Sequence, residues 1–420
     1  MNLQYNASAY IPRGEENMAT QVFVGASSTA DPKKAASEAV AAALRESARF
    51  DHGGSAGSAA RPAFALVLST DQYDADALAA ATTSELPGVP WAGCCTAGVF
   101  AGSRLLRQGL VVGLVVSETV RVGIGVAQPV SQDGRRAGVL AASRALEGFP
   151  PSVPAGWSRA LIVLPDALTG NAADVVRGAV EVGGTGVVWA GGGAGDNLRF
   201  VRTAQFAGGR AYSDSVVVVA IDSPARMATG IRHGFRPYGP PTMVTRAEGT
   251  VLAELEYEGA FSVYQRTARA KGHQVNLDGF ATFAMTHPLG IPQADGEHVI
   301  RDPLRVISPG GLYCVGEVPD GCLIRVMEGD PIGLVGAARE AAITARDAVS
   351  GPIAGAFVFD CISRCMMLGD TVRDELTTFE SELGQSVPVM GCLTFGEVGT
   401  LGRGVPQFHN KTAVVLALGA

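Results

Sequence analysis

Short, uninterrupted apolar runs, each closing on a few polar or glycine positions, set the pattern of this chain. The runs at 63–68, 160–164 and 354–359 lack the polar alternation of a half-exposed strand, so they read as strands covered on both faces. A helix is predicted after each one, over about 74–85 and 171–182. In the third case Val372, Leu376, Phe379 and Leu383 mark one helical face. A second apolar strand then leads into a glycine-containing turn, and a return strand follows at 109–116, at 215–221 and at 412–418.

The second strand and its turn repeat. Val387-Pro388-Val389-Met390-Gly391-Cys392-Leu393-Thr394-Phe395-Gly396 echoes Val89-Pro90-Trp91-Ala92-Gly93-Cys94-Cys95-Thr96-Ala97-Gly98 in register. A weaker copy, Val187-Val188-Trp189-Ala190-Gly191-Gly192-Gly193-Ala194-Gly195, keeps the strand and the glycines but not Cys or Thr. The repeated order of strand, helix, strand, turn and strand predicts an α/β fold. The expected architecture is two domains of mixed sheets with covering helices: a tail at 1–17, a domain at 18–224 and a domain at 225–420.

Further elements follow from local signals. Asp31-Pro32 and Asp330-Pro331 each supply an N-cap and a first-turn proline for an Ala-rich helix. Met18 is a second potential start, and 53–60 reads as a Gly/Ser loop. Between 224 and 351 the pattern changes: strands are predicted at 243–248, 251–256, 280–286, around Arg305 and Tyr313, and at 322–327. A helix is expected at 259–269.

Composition narrows the class. Hydrophobic residues make up 47% of the 420 positions, charged residues 17%, and the net charge is -7 with no basic block, which leaves nucleic acid without an electrostatic footprint. No apolar run approaches the ~20 residues of a membrane helix, and the start lacks a signal-peptide pattern. A cytoplasmic protein that engages neither membrane nor nucleic acid is expected. Seven cysteines without a C-x-x-C pair argue for reduced thiols and against a zinc ribbon.

Ligands of open α/β sheets collect at the carboxyl ends of strands. Ser69-Thr70, Pro165-Asp166 and Asp360-Cys361 stand at equivalent strand ends, beside the turns carrying Cys94 and Thr96, Gly192 and Gly193 with Asp196 and Asn197, and Cys392 and Thr394 with Glu397. The glycines at 191–195 suit either an anion-cradling nest or simply a tight turn. Arg364, at the end of an apolar strand, needs a partner: a ligand carboxylate, or Glu397 in a buried ion pair. Cys94, Cys361 or Cys392 would serve as a nucleophile only with a base nearby. The six histidines show no paired metal spacing, while a single axial haem ligand would leave no spacing signature.

Gly93-Cys94-Cys95-Thr96-Ala97-Gly98, Gly191-Gly192-Gly193-Ala194-Gly195-Asp196, Pro288-Leu289-Gly290, Phe359-Asp360-Cys361-Ile362-Ser363-Arg364, Gly391-Cys392-Leu393-Thr394-Phe395-Gly396-Glu397-Val398-Gly399 and His409-Asn410-Lys411-Thr412 resemble the FIST family in order and spacing. The likeness runs from about Thr20 to Leu418 and implies a FIST domain followed by a FIST C domain. Two departures stand out: Gly98-Val99-Phe100 where an acidic residue is common, and Glu258-Gly259-Ala260 in place of Asp-Gly-x-Pro-Ala. The resemblance implies an intracellular sensor of a small ligand such as an amino acid, signalling through a separate histidine kinase or chemotaxis receptor. It also implies a second option, non-covalent haem that senses nitric oxide, for which His287 or His409 would be the ligand. The leading expectation places Arg364 on an anionic group, with Cys361, Thr394, Glu397 and the Gly192 turn lining the pocket.

Overall fold

The computed structural model describes residues 20–51, 61–402 and 404–420. The predicted tail, the second start at Met18 and the Gly/Ser loop at 53–60 lie outside them. The described residues form an α/β protein of mixed sheets with covering helices.

Its plan is one unit used three times. The first unit runs from an edge strand, Gln21–Ser27, through helix Pro32–Asp51, strand Pro62–Thr70, helix Ala75–Glu85 and strand Trp91–Thr96 to a hairpin, Val99–Ala101 with Arg104–Leu106. Strand Leu110–Val116 closes it. The second unit copies this order from Arg121–Ala127 to Val216–Ser223, and the third from Met227–Arg232 to Ala413–Gly419. In each sheet the edge strand pairs antiparallel with the closing strand and the closing strand antiparallel with the first central strand. The first central strand then runs parallel to the second. The third unit differs by an insertion between its edge strand and helix Pro331–Val349: an eight-stranded sheet with helices Ala260–Ala270 and Phe280–Thr286.

Two glycine devices explain why the repeat survives in the sequence. Gly93, Gly191 and Gly391 lie where the parallel strand passes so closely that a Cβ would stand 1.6, 2.1 and 2.4 Å from the carbonyl oxygens of Val67, Val163 and Val358. Gly25, Gly125 and Gly230 lie under the helices, where a Cβ would come within 2.0, 1.9 and 1.9 Å of the carbonyl oxygens of Ala39, Ala141 and Ala341. Contact that close excludes every side chain.

The three sheets face one another around a shared apolar centre. Leu66, Leu68, Ile162, Leu164, Phe357 and Phe359 point into it. The alternate residues of the same strands, such as Ala65, Val67, Leu161, Val163, Ala356 and Val358, point out to each unit's own helices. Burial of both faces is the reason those strands read as unbroken apolar runs.

The units are interlocked by their hairpins. The hairpin of the first extends the sheet of the third through Val99 opposite Cys392, and that of the second extends the sheet of the first through Gln205 opposite Cys94. The hairpin of the third reaches the second unit at a bridge between Glu397 and Gly192. One expected strand is a helix: at Phe280–Thr286 the core-facing residues are Phe280 and Ala284, a spacing of one helical turn.

Candidate ligand pocket

The turns after the second central strands meet in a closed circuit of backbone hydrogen bonds. Ala97 N–H donates to the Leu393 carbonyl (2.9 Å), Gly193 N–H to Gly396 (2.7 Å) and Gly195 N–H to Cys95 (3.1 Å). Cys94, Thr96, Gly192, Gly193, Cys392, Thr394 and Glu397 are thereby brought together, as the repeat led one to expect, but all are buried in the packed centre. Gly192 and Gly193 are hemmed in by Thr394 and by the Phe395 carbonyl.

The equivalent ends of the first central strands differ sharply. In the third unit Arg364, fully buried, lies 2.9 Å from Asp360 Oδ1 and donates from Nε to Glu375 Oε1 (3.1 Å). Nη1 donates to the carbonyls of His233 (2.9 Å) and Lys411 (3.4 Å); Nη2 donates to Leu334 (2.9 Å) and to Glu375. All five N–H donors are used, so none is left for a ligand anion. The buried ion pair is formed with Asp360 and Glu375, not with Glu397. Burial, and next the neighbouring Glu375, push the Asp360 carboxyl well above its usual range.

The second unit closes its own end too. Asp166 accepts from Leu168 N–H and Asp214 N–H, both at 3.0 Å. Asp196, expected as a ligand contact, instead accepts the backbone N–H groups of Phe200 (2.8 Å), Val201 (2.6 Å) and Arg202 (3.0 Å).

Among the described residues, a hollow opens at this strand end in the first unit. A cavity of about 180 Å³ lies over Ser69, Thr70, Asp71 and Cys95, with Tyr73 and Asp74 at one side and Arg199, Arg202 and Thr203 at the other. Ser69 is 1% exposed, and its buried hydroxyl has no partner among the described residues, a costly state for a buried polar group unless something in the cavity bonds to it. Asn197 donates to Asp71 Oδ1 (2.8 Å), and Arg199 pairs with Oδ2 of the same carboxylate. The pocket thus combines carboxylates and guanidinium groups around a hydroxyl. The strand end Ser69-Thr70 lines it, and two of the expected site residues bond its lining: Thr96 donates to the Ser69 carbonyl (3.1 Å) and Asn197 to Asp71. Asp71, Arg199 and Arg202 carry no signal in a single sequence, because 126 positions separate Asp71 from its partner Asn197.

None of the thiols is activated. Cys95 donates to the Gly195 carbonyl (3.1 Å), accepts from Ala204 N–H (2.9 Å) and is pushed up to about 12 by burial. Burial also raises Cys94, Cys361 and Cys392 above the ordinary thiol range, so the thiolate needed of a nucleophile is scarce. At pH 8 a thiol reagent is expected to label half-buried Cys322 and to reach the other six cysteines only on unfolding; counting labelled sites by mass spectrometry checks this. Rapid labelling of Cys94, Cys361 or Cys392 would restore the nucleophile reading.

The two histidines expected as haem ligands, His287 and His409, are both engaged by their surroundings. His409 is fully buried, with Nε2 engaged by the Gly399 carbonyl at 3.1 Å, and burial lowers it to about 4. His287 lies flat on Phe283 at 3.9 Å, its Nδ1 held by Thr286 and by the Phe283 carbonyl. Neither imidazole lines the cavities at Ser69, Ser103 or Trp157. Among the described residues, no group of His, Cys, Asp or Glu is placed to hold a metal ion, and no helix is long and apolar enough to cross a membrane.

Comparison with known proteins gives a consistent frame. The family model described as FIST N domain matches residues 63–258, and that described as FIST C domain matches 260–400. Two uncharacterised proteins, from Mycobacterium tuberculosis strains CDC 1551 / Oshkosh and ATCC 25618 / H37Rv, are each 26% identical over 94% of this chain and 98% of their own. A crystal structure of cyanuric acid hydrolase from A. caulinodans overlaps 96% of this chain and all of its own at 11% identity and a TM-score of 0.31. So loose an overlay bears on nothing further.

Proposed function

This chain belongs to the FIST family, a sensory domain family, and on that premise we propose that it is a small-ligand sensor whose site is the hollow strand end of the first unit. The ligand is an amino acid. Its carboxylate meets Arg202 at the rim, its ammonium meets the Asp71 and Asp74 side, and a polar atom of it bonds the Ser69 hydroxyl. One observation carries the reading: Ser69 Oγ is buried and unpartnered at the floor of a cavity lined by both signs of charge. The cavity volume of about 180 Å³ suits a molecule of that size. Signal output goes to a separate protein of the histidine kinase or chemotaxis receptor kind.

Calorimetric titration with each standard amino acid tests the proposal. One or a few are expected to bind, with Ser69→Ala weakening affinity by roughly tenfold, the worth of one hydrogen bond. Arg202→Ala should weaken it by about tenfold to a hundredfold, as befits a charge-assisted bond. Absence of any binder, or a binder indifferent to both substitutions, would sink the reading.

A further inference from the structure

The wall of the pocket nearest Arg199 is an unusual loop. Asn197, Leu198 and Phe200 all take positive φ, at 54°, 64° and 54°, a region that costs a branched or bulky residue of order 1–2 kcal/mol. Such a loop keeps its shape only where its surroundings hold it. Two sets of bonds do so here. The Asp196 carboxylate gathers the N–H groups of Phe200, Val201 and Arg202 from within. From across the pocket, Asp71 holds Asn197 by a hydrogen bond and Arg199 by an ion pair.

The loop also carries apolar side chains outward. Phe200 is 59% exposed and Val201 78% exposed, beside Leu198 at 38%. Phe200 lies at a tilt against Phe395 of the third unit, with ring centroids 5.2 Å apart. Asp71 is therefore at once a wall of the ligand cavity and the external clasp on an apolar, strained segment.

We infer that Asp71 and Arg199 form a latch, released when the cationic group of the ligand replaces Arg199 on the Asp71 carboxylate, so that loop 197–202 leaves its strained form and reports occupancy. This rests on the ligand site proposed above. The exchange is neutral in charge: one cation leaves the carboxylate and another takes its place. Arg199 is 62% exposed at its side chain, so its release to water carries little desolvation cost. The ligand shifts the loop because its cation has a carboxylate to bind only where Arg199 has left.

Limited proteolysis of the full chain reads the latch directly, since cleavage within a folded loop follows the population of its open form. Chymotrypsin cleavage after Phe200, followed by mass spectrometry, is expected to be roughly fivefold faster in Asp71→Asn and in Arg199→Gln, the population change produced by losing a half-exposed ion pair. Arg199→Gln alters a surface residue, so it keeps the test valid if Asp71→Asn compromises folding. Any amino acid that binds the native protein by calorimetry should raise native cleavage toward the variants' level and leave theirs unchanged.

Rates for both variants within twofold of the native protein would overturn the latch and leave the Asp196 bonds as the whole support of the loop. So would a bound amino acid that leaves cleavage unchanged, although the binding site would then stand. If instead no amino acid binds while both variants are cleaved faster, the clasp on the loop stands and the ligand assigned to the pocket falls.

Discussion

Arg364→Met is expected to destabilise the protein by about 3–5 kcal/mol, the usual cost of removing one partner from a buried ion pair. Methionine follows the path of the arginine stem but supplies no donor. It leaves Asp360 and Glu375 buried without their cation and takes N–H donors from the carbonyls of His233, Lys411 and Leu334. Those carbonyls belong to three different stretches: the exit from the third unit's edge strand, the start of its closing strand, and helix Pro331–Val349. The guanidinium therefore ties the unit together where the insertion interrupts it. Urea denaturation monitored by circular dichroism measures the loss as a lower midpoint at unchanged slope. Adding Asp360→Asn and Glu375→Leu to Arg364→Met should recover part of the stability, because the carboxyl groups left buried without the guanidinium are removed with it. A stable Arg364→Met protein that merely lost ligand affinity would overturn this account and return Arg364 to the role of anion anchor.

The contrast among the three strand ends explains what the sequence could and could not reveal. The decapeptide was legible because its glycines answer a local demand, the close approach of the parallel strand at Gly93, Gly191 and Gly391. The edge strand Arg121–Ala127 and helix Gly134–Ala145 gave no such signal. Their copies share only a glycine set against an alanine carbonyl, as Gly125 is against Ala141, a match too sparse to read without coordinates. Phe280–Thr286 is a helix where a strand is expected because apolar residues over seven positions fit either period, and packing of Phe280 against Phe261 and Tyr264 shows which face is buried. For the site, the strand ends were legible and their occupancy was not. Whether an end is filled depends on a group arriving from elsewhere, the Glu375 side chain in the third unit and the Asp214 backbone N–H in the second. At the first unit no such group among the described residues bonds the Ser69 hydroxyl.

Glu397 accounts for the second large effect, a stability that falls as pH rises from about 4.5 to 7. Its carboxyl is fully buried, and burial raises it to about 7 despite bonds from Thr394, Thr412 and Cys361 that act the other way. The hydrogen-bond pattern accommodates a neutral acid. Thr394 Oγ1 has one proton and lies 3.1 Å from the Asp360 carbonyl and 2.8 Å from Glu397 Oε1. If it donates to the carbonyl, it must accept from Glu397, which then carries the proton, while Oε2 accepts from Thr412 N–H (3.1 Å) and Oγ1 (2.8 Å). Because the folded value lies above the unfolded one, near 4.5, the contribution is whole below pH 4.5. It is lost as pH rises through 7, when unfolding releases a proton that the native state holds. The span, 7 less 4.5, corresponds to about 3 kcal/mol. His233 and His409, lowered by burial to about 3 and about 4, run the opposite way: their contribution is present above about 6.5 and lost as pH falls through those values. Glu397→Gln separates the two, since an amide reproduces the neutral acid's donor toward Thr394 and acceptor toward Thr412 and does not titrate. The variant is expected to match the native protein near pH 4.5 and to exceed it by about 3 kcal/mol at pH 8, as measured by urea unfolding at each pH. A difference that stays constant between those pH values would show that Glu397 is ionised throughout, and that its bonds from Thr394, Thr412 and Cys361 outweigh its burial.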